Sequence, residues 1–353
     1  MLLPGDALIK YQGEVVDASE CYVLPGFVDI HFHGCAGYDF CEGSAETIEQ
    51  MAKYEFSQGV TGICPATMTL REEKISGLMR QVSAYKKQEK KGKNARLLGV
   101  HLEGPFINPA KKGAQSEADI QSPEIEKLRR WQEAAGGLIR LVTIAPEMEG
   151  AIRCIGEGKR EFHFSLGHCS CDYDMARKAF EAGADHVTHL FNAMPSLEHR
   201  NPGLIGAAFD HKECFVELIC DGTHIAPSVV RMVFRLFGEE RVVLISDSME
   251  ATGMPDGEYH LGGQRVSVRK KTAALEDGTL AGSVTSLYGC FREAVRMGIP
   301  IESAIKACTV NPCKSIGLDK EYGSLAVGKK ACFLLLDQKT LEICNVIAGQ
   351  EIL

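Results

Sequence analysis

Eight short runs rich in apolar and β-branched residues alternate with segments of helical spacing along this chain. The runs are Phe27–His33, Val60–Pro65, Arg96–Glu103, Ile139–Ala145, Phe162–His168, Ala184–His189, Cys214–Asp221 and Arg241–Asp247. Between most of them the apolar residues recur every three or four positions, as in Ser44–Gln58, Glu72–Lys90, Pro123–Ala135, Asp172–Ala182 and Pro227–Phe237. That spacing lines one face of a helix. Eight strand–helix units in series predict an α/β fold, a parallel (β/α)8 TIM-like barrel. An open doubly wound sheet is the alternative, but the first run lacks the glycine-rich phosphate loop that such folds use.

The two ends of the chain read differently. Residues 1–24, with Leu8-Ile-Lys10 and Glu14-Val-Val16, and residues 320–353, with Ala331–Leu336 and Leu341–Ile347, have the pattern of short strands and turns. They are expected to form one small β-sandwich-like domain from both termini, beside a barrel over residues 25–319. Glu258–Ser283 reads as a further β excursion, turning at Gly262-Gly263 and Asp277-Gly278.

Composition narrows the setting. A formal charge of −8 argues against a nucleic-acid surface. No apolar run reaches the roughly 18–20 residues of a membrane span, and the start lacks a signal-peptide pattern. The fourteen cysteines are spread thinly with no Cys-x-x-Cys pair, which fits reduced thiols in a cytoplasmic protein better than a disulfide scaffold.

The polar residues fall where a barrel places its chemistry, at the carboxyl ends of strands. The first run ends in His31 and His33, the third in Glu103, the fifth in His168, the sixth in His189 and the eighth in Asp247; His224 follows the seventh. In a regular strand, residues two apart share a face, so Asp29, His31 and His33 are expected on one side and Val28, Ile30 and Phe32 on the other. One buried histidine is usually a satisfied core residue, but six or seven such groups at matching ends on separate strands need a common cause. Imidazoles with a carboxylate suit Zn²⁺ or Fe²⁺, as one ion with an open position or two sharing Glu103. Asp247 fits a general base. Cys169 and Cys171 read as packing residues, with soft-metal ligation as the less favoured alternative.

The His-x-His strand, the later histidines and the aspartate of the eighth run resemble the amidohydrolase superfamily. Several motifs narrow this to the N-acetylglucosamine-6-phosphate deacetylase family: Leu24-Pro-Gly-Phe-Val-Asp-Ile-His-Phe-His-Gly34, His101-Leu-Glu-Gly-Pro-Phe106, Lys112-Gly-Ala-Gln115, Gly167-His168, Thr188-His-Leu-Phe-Asn-Ala-Met194, Asp221-Gly-Thr-His224, Ser246-Asp-Ser-Met249, Leu280-Ala-Gly-Ser283 and Leu325-Ala-Val-Gly328. The resemblance implies removal of acetate from an amino-sugar phosphate. It implies Glu103, His168 and His189 as primary ligands of a divalent metal, His31 and His33 as a second position, and Asp247 as the acid/base. One or two ions per subunit, zinc or iron, are expected.

On the substrate side the resemblance implies that Asn192, with the backbone at Ala193, holds the phosphate end, that His224 contacts the sugar, and that Arg200 binds phosphate. Arg200 would do so from a neighbouring subunit, so a homodimer is expected. Some relatives carry a histidine where this chain has Gln115, and use it to polarise the acetyl carbonyl. Gln115 donates a hydrogen bond but carries no charge, so a second metal is expected to take over that work. The rivals are a deacetylase of another N-acetylhexosamine phosphate, another amidohydrolase, and an inactive relative kept as a scaffold.

Overall fold

The computed structural model describes residues 16–90, 92 and 94–351. The expected strands at Leu8-Ile-Lys10 and most of Glu14-Val-Val16 lie outside the described residues. Eight parallel strands carry the barrel: β1 Phe27–Asp29, β2 Val60–Ile63, β3 Val100–Glu103, β4 Ile139–Ile144, β5 His163–Leu166, β6 His186–Val187, β7 Phe215–Ile219 and β8 Val242–Ile245. Strands β3 to β8 pair in chain order as one six-stranded parallel sheet, and β1 pairs with β2. Two seams close the cylinder, the first joining the end of β2 and the residues after it to the third run, the second just beyond the ends of β8 and β1. Ala66 bridges to His101 between β2 and β3. Between β8 and β1 the Asp247 amide donates to the His31 carbonyl (2.9 Å), and the His33 amide to the Ser248 carbonyl (2.7 Å).

Eight helices alternate with the strands: α1 Ala45–Ser57, α2 Glu72–Gln88, α3 Ile125–Ala134, α4 Ala151–Gly158, α5 Tyr173–Ala182, α6 Gly203–Asp210, α7 Pro227–Phe237 and α8 Leu287–Arg296. Their starts use familiar chemistry. Ser44 caps α1 by accepting the Thr47 amide, Asp172 caps α5 by accepting the Met175 amide, and Pro227 opens α7.

Two apolar layers hold the barrel. Val28, Ile30, Cys64, Leu98, Leu141, Ile219, Val243 and Ile245, drawn from six of the barrel's strand segments, pack together as one buried cluster beneath the polar strand ends. A larger layer, with Phe27, Trp131, Phe164 and Phe291 fully buried, belongs to a second cluster shared with the helices. Gly26 in the Pro25-Gly26 turn is required by close approach: a Cβ there would sit 2.2 Å from the Thr61 side chain.

At the chain ends, Cys21–Pro25 runs antiparallel to Lys330–Asp337, which pairs in turn with Ile343–Glu351. Among the described residues this region is a single three-stranded sheet, and its Leu24, Leu334 and Leu336 join the barrel's outer core. The β excursion after β8 forms three antiparallel strands, Gly257–Leu261, Gln264–Arg269 and Thr272–Ala274. It turns at Gly262-Gly263 as expected, both at positive φ. No helix among the described residues is long and apolar enough to cross a membrane.

Candidate metal centre and active site

The strand ends meet over one cavity of about 400 Å³, within the range of small-molecule sites. His33, Glu103, Gln115, His168, His189, Asn192, Ala193, His224 and Asp247 all line it.

Glu103, at the end of β3, lies at the centre. Its Oε1 is 3.0 Å from His189 Nε2 and 3.2 Å from both His168 Nε2 and His31 Nε2, while its Oε2 is 3.2 Å from His33 Nε2. Asp247 Oδ1 faces His33 Nε2 at 3.2 Å and His31 Nε2 at 3.7 Å. Two groups result, Glu103–His168–His189 and His31–His33–Asp247, with Glu103 reaching into both.

The hydrogens on these rings follow from their outer partners. His168 Nδ1 faces the Lys111 carbonyl (2.8 Å), His33 Nδ1 the Ala66 carbonyl (3.2 Å) and His31 Nδ1 the Glu217 carboxylate (2.8 Å). A carbonyl or carboxylate oxygen only accepts, so each Nδ1 carries the proton and each neutral ring turns an Nε2 lone pair inward. Those lone pairs meet carboxylate oxygens, and His168 Nε2 also faces His189 Nε2 at 3.0 Å. Buried His31 Nε2 has no hydrogen-bond partner. Acceptors converging on acceptors repel unless a positive charge lies among them. The donor set fits a divalent cation, and its nitrogen and carboxylate chemistry is that of a transition metal or zinc.

A proton on a ring is the other form this positive charge can take, and the electrostatics show the same pull. Burial opposes ionisation of Glu103, yet His31 and His168 hold it well below the usual carboxylate range. Burial likewise works against Asp247, but its hydrogen bond with His33 and the charge of His31 keep it lowered. Burial disfavours a charged His33, while Asp247 and Glu103 raise it to about 9. The site attracts positive charge.

Backbone geometry sets these side chains. His168, His189 and Asp247 all take positive φ (45°, 25° and 48°), as do Phe191 and Ala193 in the following loop. Non-glycine residues rarely adopt that region, and such strain gathers at functional sites. The first strand breaks the expected alternation. The Cys64 amide donates to the Asp29 carbonyl and the Ala66 amide to the Phe32 carbonyl. Three residues of the segment leaving β1 therefore answer two of the segment leaving β2, as in a bulge. Val28 and Ile30 join the inner cluster and Phe32 the outer one. Asp29 does not join the two histidines: it accepts from Ser246 Oγ (2.6 Å) and from the His31 amide (3.2 Å).

Gln115 also differs from expectation. Its Oε1 accepts from the Thr69 amide (2.5 Å), and its Nε2 donates to Glu103 Oε2 (2.6 Å). The amide expected to face substrate instead clamps a candidate ligand. Asn192 turns its Nδ2 back to the His189 and Leu190 carbonyls (3.3 and 3.4 Å). His224 is tied through Nδ1 to Asp221 (2.8 Å). Arg200 is exposed and does not line the cavity of its own chain.

Two further residues escaped the sequence reading. Glu217, fully buried in β7, accepts from His31 Nδ1 and from the His189 amide (3.0 Å) through the same oxygen. It thereby ties the two ligand groups together. Its signal was present: a carboxylate inside the apolar run Cys214-Phe-Val-Glu-Leu-Ile-Cys220 needs a partner. Lys111 is the one lysine or arginine among the described residues lining the cavity.

The amidohydrolase family model matches residues 22–351. The chain belongs to the amidohydrolase family. It is 37% identical over 96% of its length to an N-acetylglucosamine-6-phosphate deacetylase of Bacillus subtilis, covering 86% of that protein. It is 34% identical to an N-acetylgalactosamine-6-phosphate deacetylase of Escherichia coli O157:H7, over 89% of this chain and 83% of that one. The N-acetyl-D-glucosamine-6-phosphate deacetylase of Mycobacterium smegmatis, solved as a mutant in complex with N-acetyl-D-glucosamine-6-phosphate, superposes with a TM-score of 0.87. That match has 34% identity and covers 94% of this chain and 86% of that one.

Proposed function

We infer that this amidohydrolase removes the acetyl group of N-acetyl-D-glucosamine 6-phosphate, yielding D-glucosamine 6-phosphate and acetate. The observation that carries this reading is the convergence of Glu103, His168, His189, His31, His33 and Asp247 on one cavity, in a chain similar over nearly its whole length to deacetylases of that substrate.

Glu103, His168 and His189 would hold a divalent cation, zinc or iron, with His31 and His33 offering a second position beside Asp247. A bound cation supplies the positive charge that makes water acidic near neutral pH and polarises an acyl carbonyl. Asp247, held ionised, is the proton carrier. Water oxygen bonds to the acetyl carbon, its proton passes to Asp247, and Asp247 delivers a proton to the sugar nitrogen as the carbon–nitrogen bond breaks. His224 positions the sugar, its ring fixed by Asp221. The loop at Asn192-Ala193 receives the phosphate end. Arg200, exposed on its own subunit, reaches the phosphate of a neighbour's site in a homodimer. A cytoplasmic setting suits fourteen cysteines that form no disulfide among the described residues. The division into a barrel over 25–319 and a small β domain from 1–24 plus 320–353 belongs to the same proposal, supported by the three-stranded sheet joining the chain ends.

Similarity to the galactosamine-type enzyme makes the 4-epimer the second reading. Steady-state deacetylation of both N-acetylhexosamine 6-phosphates and of unphosphorylated N-acetylglucosamine, with metal analysis of the same sample, tests both. The glucosamine reading expects the highest kcat/KM on the phosphorylated gluco substrate. A higher value on the galacto epimer overturns it in favour of the second reading. Equal rates with and without phosphate overturn the phosphate-binding assignments.

A further inference from the structure

Just beyond His168 lies a second cluster that the proposed reaction does not use. Cys169 and Cys171 are buried with their Sγ atoms 3.5 Å apart, and a carboxylate oxygen of Glu147 completes a triangle whose atoms all lie within 4.8 Å of one another. The segment is pinned on both sides. The Cys169 amide donates to the Ala193 carbonyl (3.1 Å), and Asp172 caps α5. Glu147 is pinned too, because its Oε1 accepts from Asn108 Nδ2 (2.8 Å) and from the Ser170 amide. Its Oε2 is buried and has no hydrogen-bond donor. The two thiols and the idle oxygen are therefore held in place before any ligand arrives.

The spacing separates two uses of a thiol pair. A disulfide needs its sulfurs about 2.05 Å apart, so oxidation would have to pull this pinned segment inward. Two thiolates on one tetrahedral zinc, with bonds of about 2.3 Å, stand about 3.8 Å apart, close to the observed separation. Thiolate ligands select soft cations, and a carboxylate is an accepted third donor for zinc.

We propose that Cys169, Cys171 and Glu147 form a thiolate-rich site for a soft divalent cation of the Zn²⁺ or Cd²⁺ class, distinct from the histidine and carboxylate centre in the cavity. A cation there would tie the residue after His168 to the loop carrying Glu147. It would brace the backbone that holds one of the candidate catalytic-metal ligands. The site differs from the cavity centre in chemistry, since none of the cavity's candidate ligands is a thiol.

Cd²⁺ titration of the full-length, metal-stripped protein tests this by the ultraviolet thiolate-to-cadmium charge-transfer band. The expected result is a saturable band that vanishes in the Cys169→Ser/Cys171→Ser double variant. The variant should also bind one equivalent fewer of Cd²⁺ than the wild-type chain. Glu147→Gln keeps an oxygen for the Ser170 and Asn108 donors, so it tests the third donor even if the double variant misfolds. At least tenfold weaker Cd²⁺ binding is expected at the site. Absence of the band in the wild-type chain, or its persistence in the double variant, overturns the site. Unchanged affinity in Glu147→Gln overturns the three-donor assignment.

Discussion

Replacing Glu217 by glutamine tests the idea that one buried oxygen joins the two ligand groups. In the wild-type chain Glu217 Oε2 accepts from His31 Nδ1 at 2.8 Å and from the His189 amide at 3.0 Å, with no exposure to solvent. Glutamine keeps the shape and one acceptor but loses the charge. A hydrogen bond to a charged group is worth about 1.5–3 kcal/mol and a neutral one about 0.5–1.5. The loss at His31 is then about 1–1.5 kcal/mol, or roughly five- to tenfold in affinity at the position His31 serves. That sits at the low end of the roughly 10–100-fold cost of mutating the outer partner of a metal-bound histidine, as expected when one acceptor is kept. Chelator-competition titration with Zn²⁺, on wild-type and Glu217→Gln protein of matched melting temperature, reads this directly. Weaker binding is expected chiefly at the equivalent His31 serves, with a smaller loss at the one His189 serves, because glutamine keeps an acceptor for the His189 amide. Unchanged affinity for every equivalent would refute the argument. The same residue carries an acid signature in the metal-free protein. Burial alone would raise its pKa, but His31 lowers it from 4.5 to about 2. The ionised form therefore stabilises the fold above the unfolded value, and that contribution is lost as pH falls from about 4.5 towards 2. Denaturant midpoints of Glu217→Gln should depend less on pH across that window.

Other perturbations probe separate links. Asp247→Asn should lower kcat by about 10²–10⁴ while leaving substrate binding largely intact, as loss of a proton carrier does; near-wild-type turnover would remove Asp247 from the chemistry. His31→Gln/His33→Gln should reduce kcat rather than only raise KM if the second position polarises the carbonyl, and an effect on KM alone would discard that role. Lys111→Ala should raise KM for the phosphorylated substrate more than for its unphosphorylated counterpart, because Lys111 is the cation at the cavity wall; equal changes would place Lys111 away from the phosphate. Burial, reinforced by His31, lowers the His101 pKa to about 3, so its ring stays neutral in the fold but takes a proton near 6.5 when unfolded. Its share of stability is complete above pH 6.5. It is lost at up to about 1.4 kcal/mol per pH unit as pH falls towards 3. His101→Gln should flatten that slope in denaturation curves collected between pH 7 and 4.

The barrel was legible because its signals are local. Apolar runs such as Ile139–Ala145 and Val60–Pro65 became strands within one or two residues, and Pro227–Phe237 became a helix over the same bounds. The ligand candidates were legible for a related reason: each stands where an apolar run ends, so a polar residue there marks a strand's carboxyl end. The bulge in the first strand was not legible. Alternation assigns Asp29 to the face of His31, and only the hydrogen bonds of Cys64 and Ala66, supplied by β2 and the residues after it, reveal the extra residue.

The role of Gln115 was hidden for the same reason. Its two partners, Thr69 and Glu103, lie 46 and 12 residues away, so sequence shows an amide near a motif but not which way it points. That geometry changes how its place beside an intact His31/His33 pair is to be understood. An amide spent on Glu103 fixes the carboxylate that reaches both ligand groups, so Gln115 steadies the position His33 serves rather than standing in for it. Glu217 does the corresponding work from the opposite side, through His31 and the His189 amide. The candidate metal ligands end their strands, while the groups that orient them sit in mid-strand or in distant loops. A carboxylate stranded inside an apolar run, as in Phe215-Val-Glu-Leu-Ile219, is the sequence mark of the second kind. It can be read only by asking which buried donor would compensate its charge.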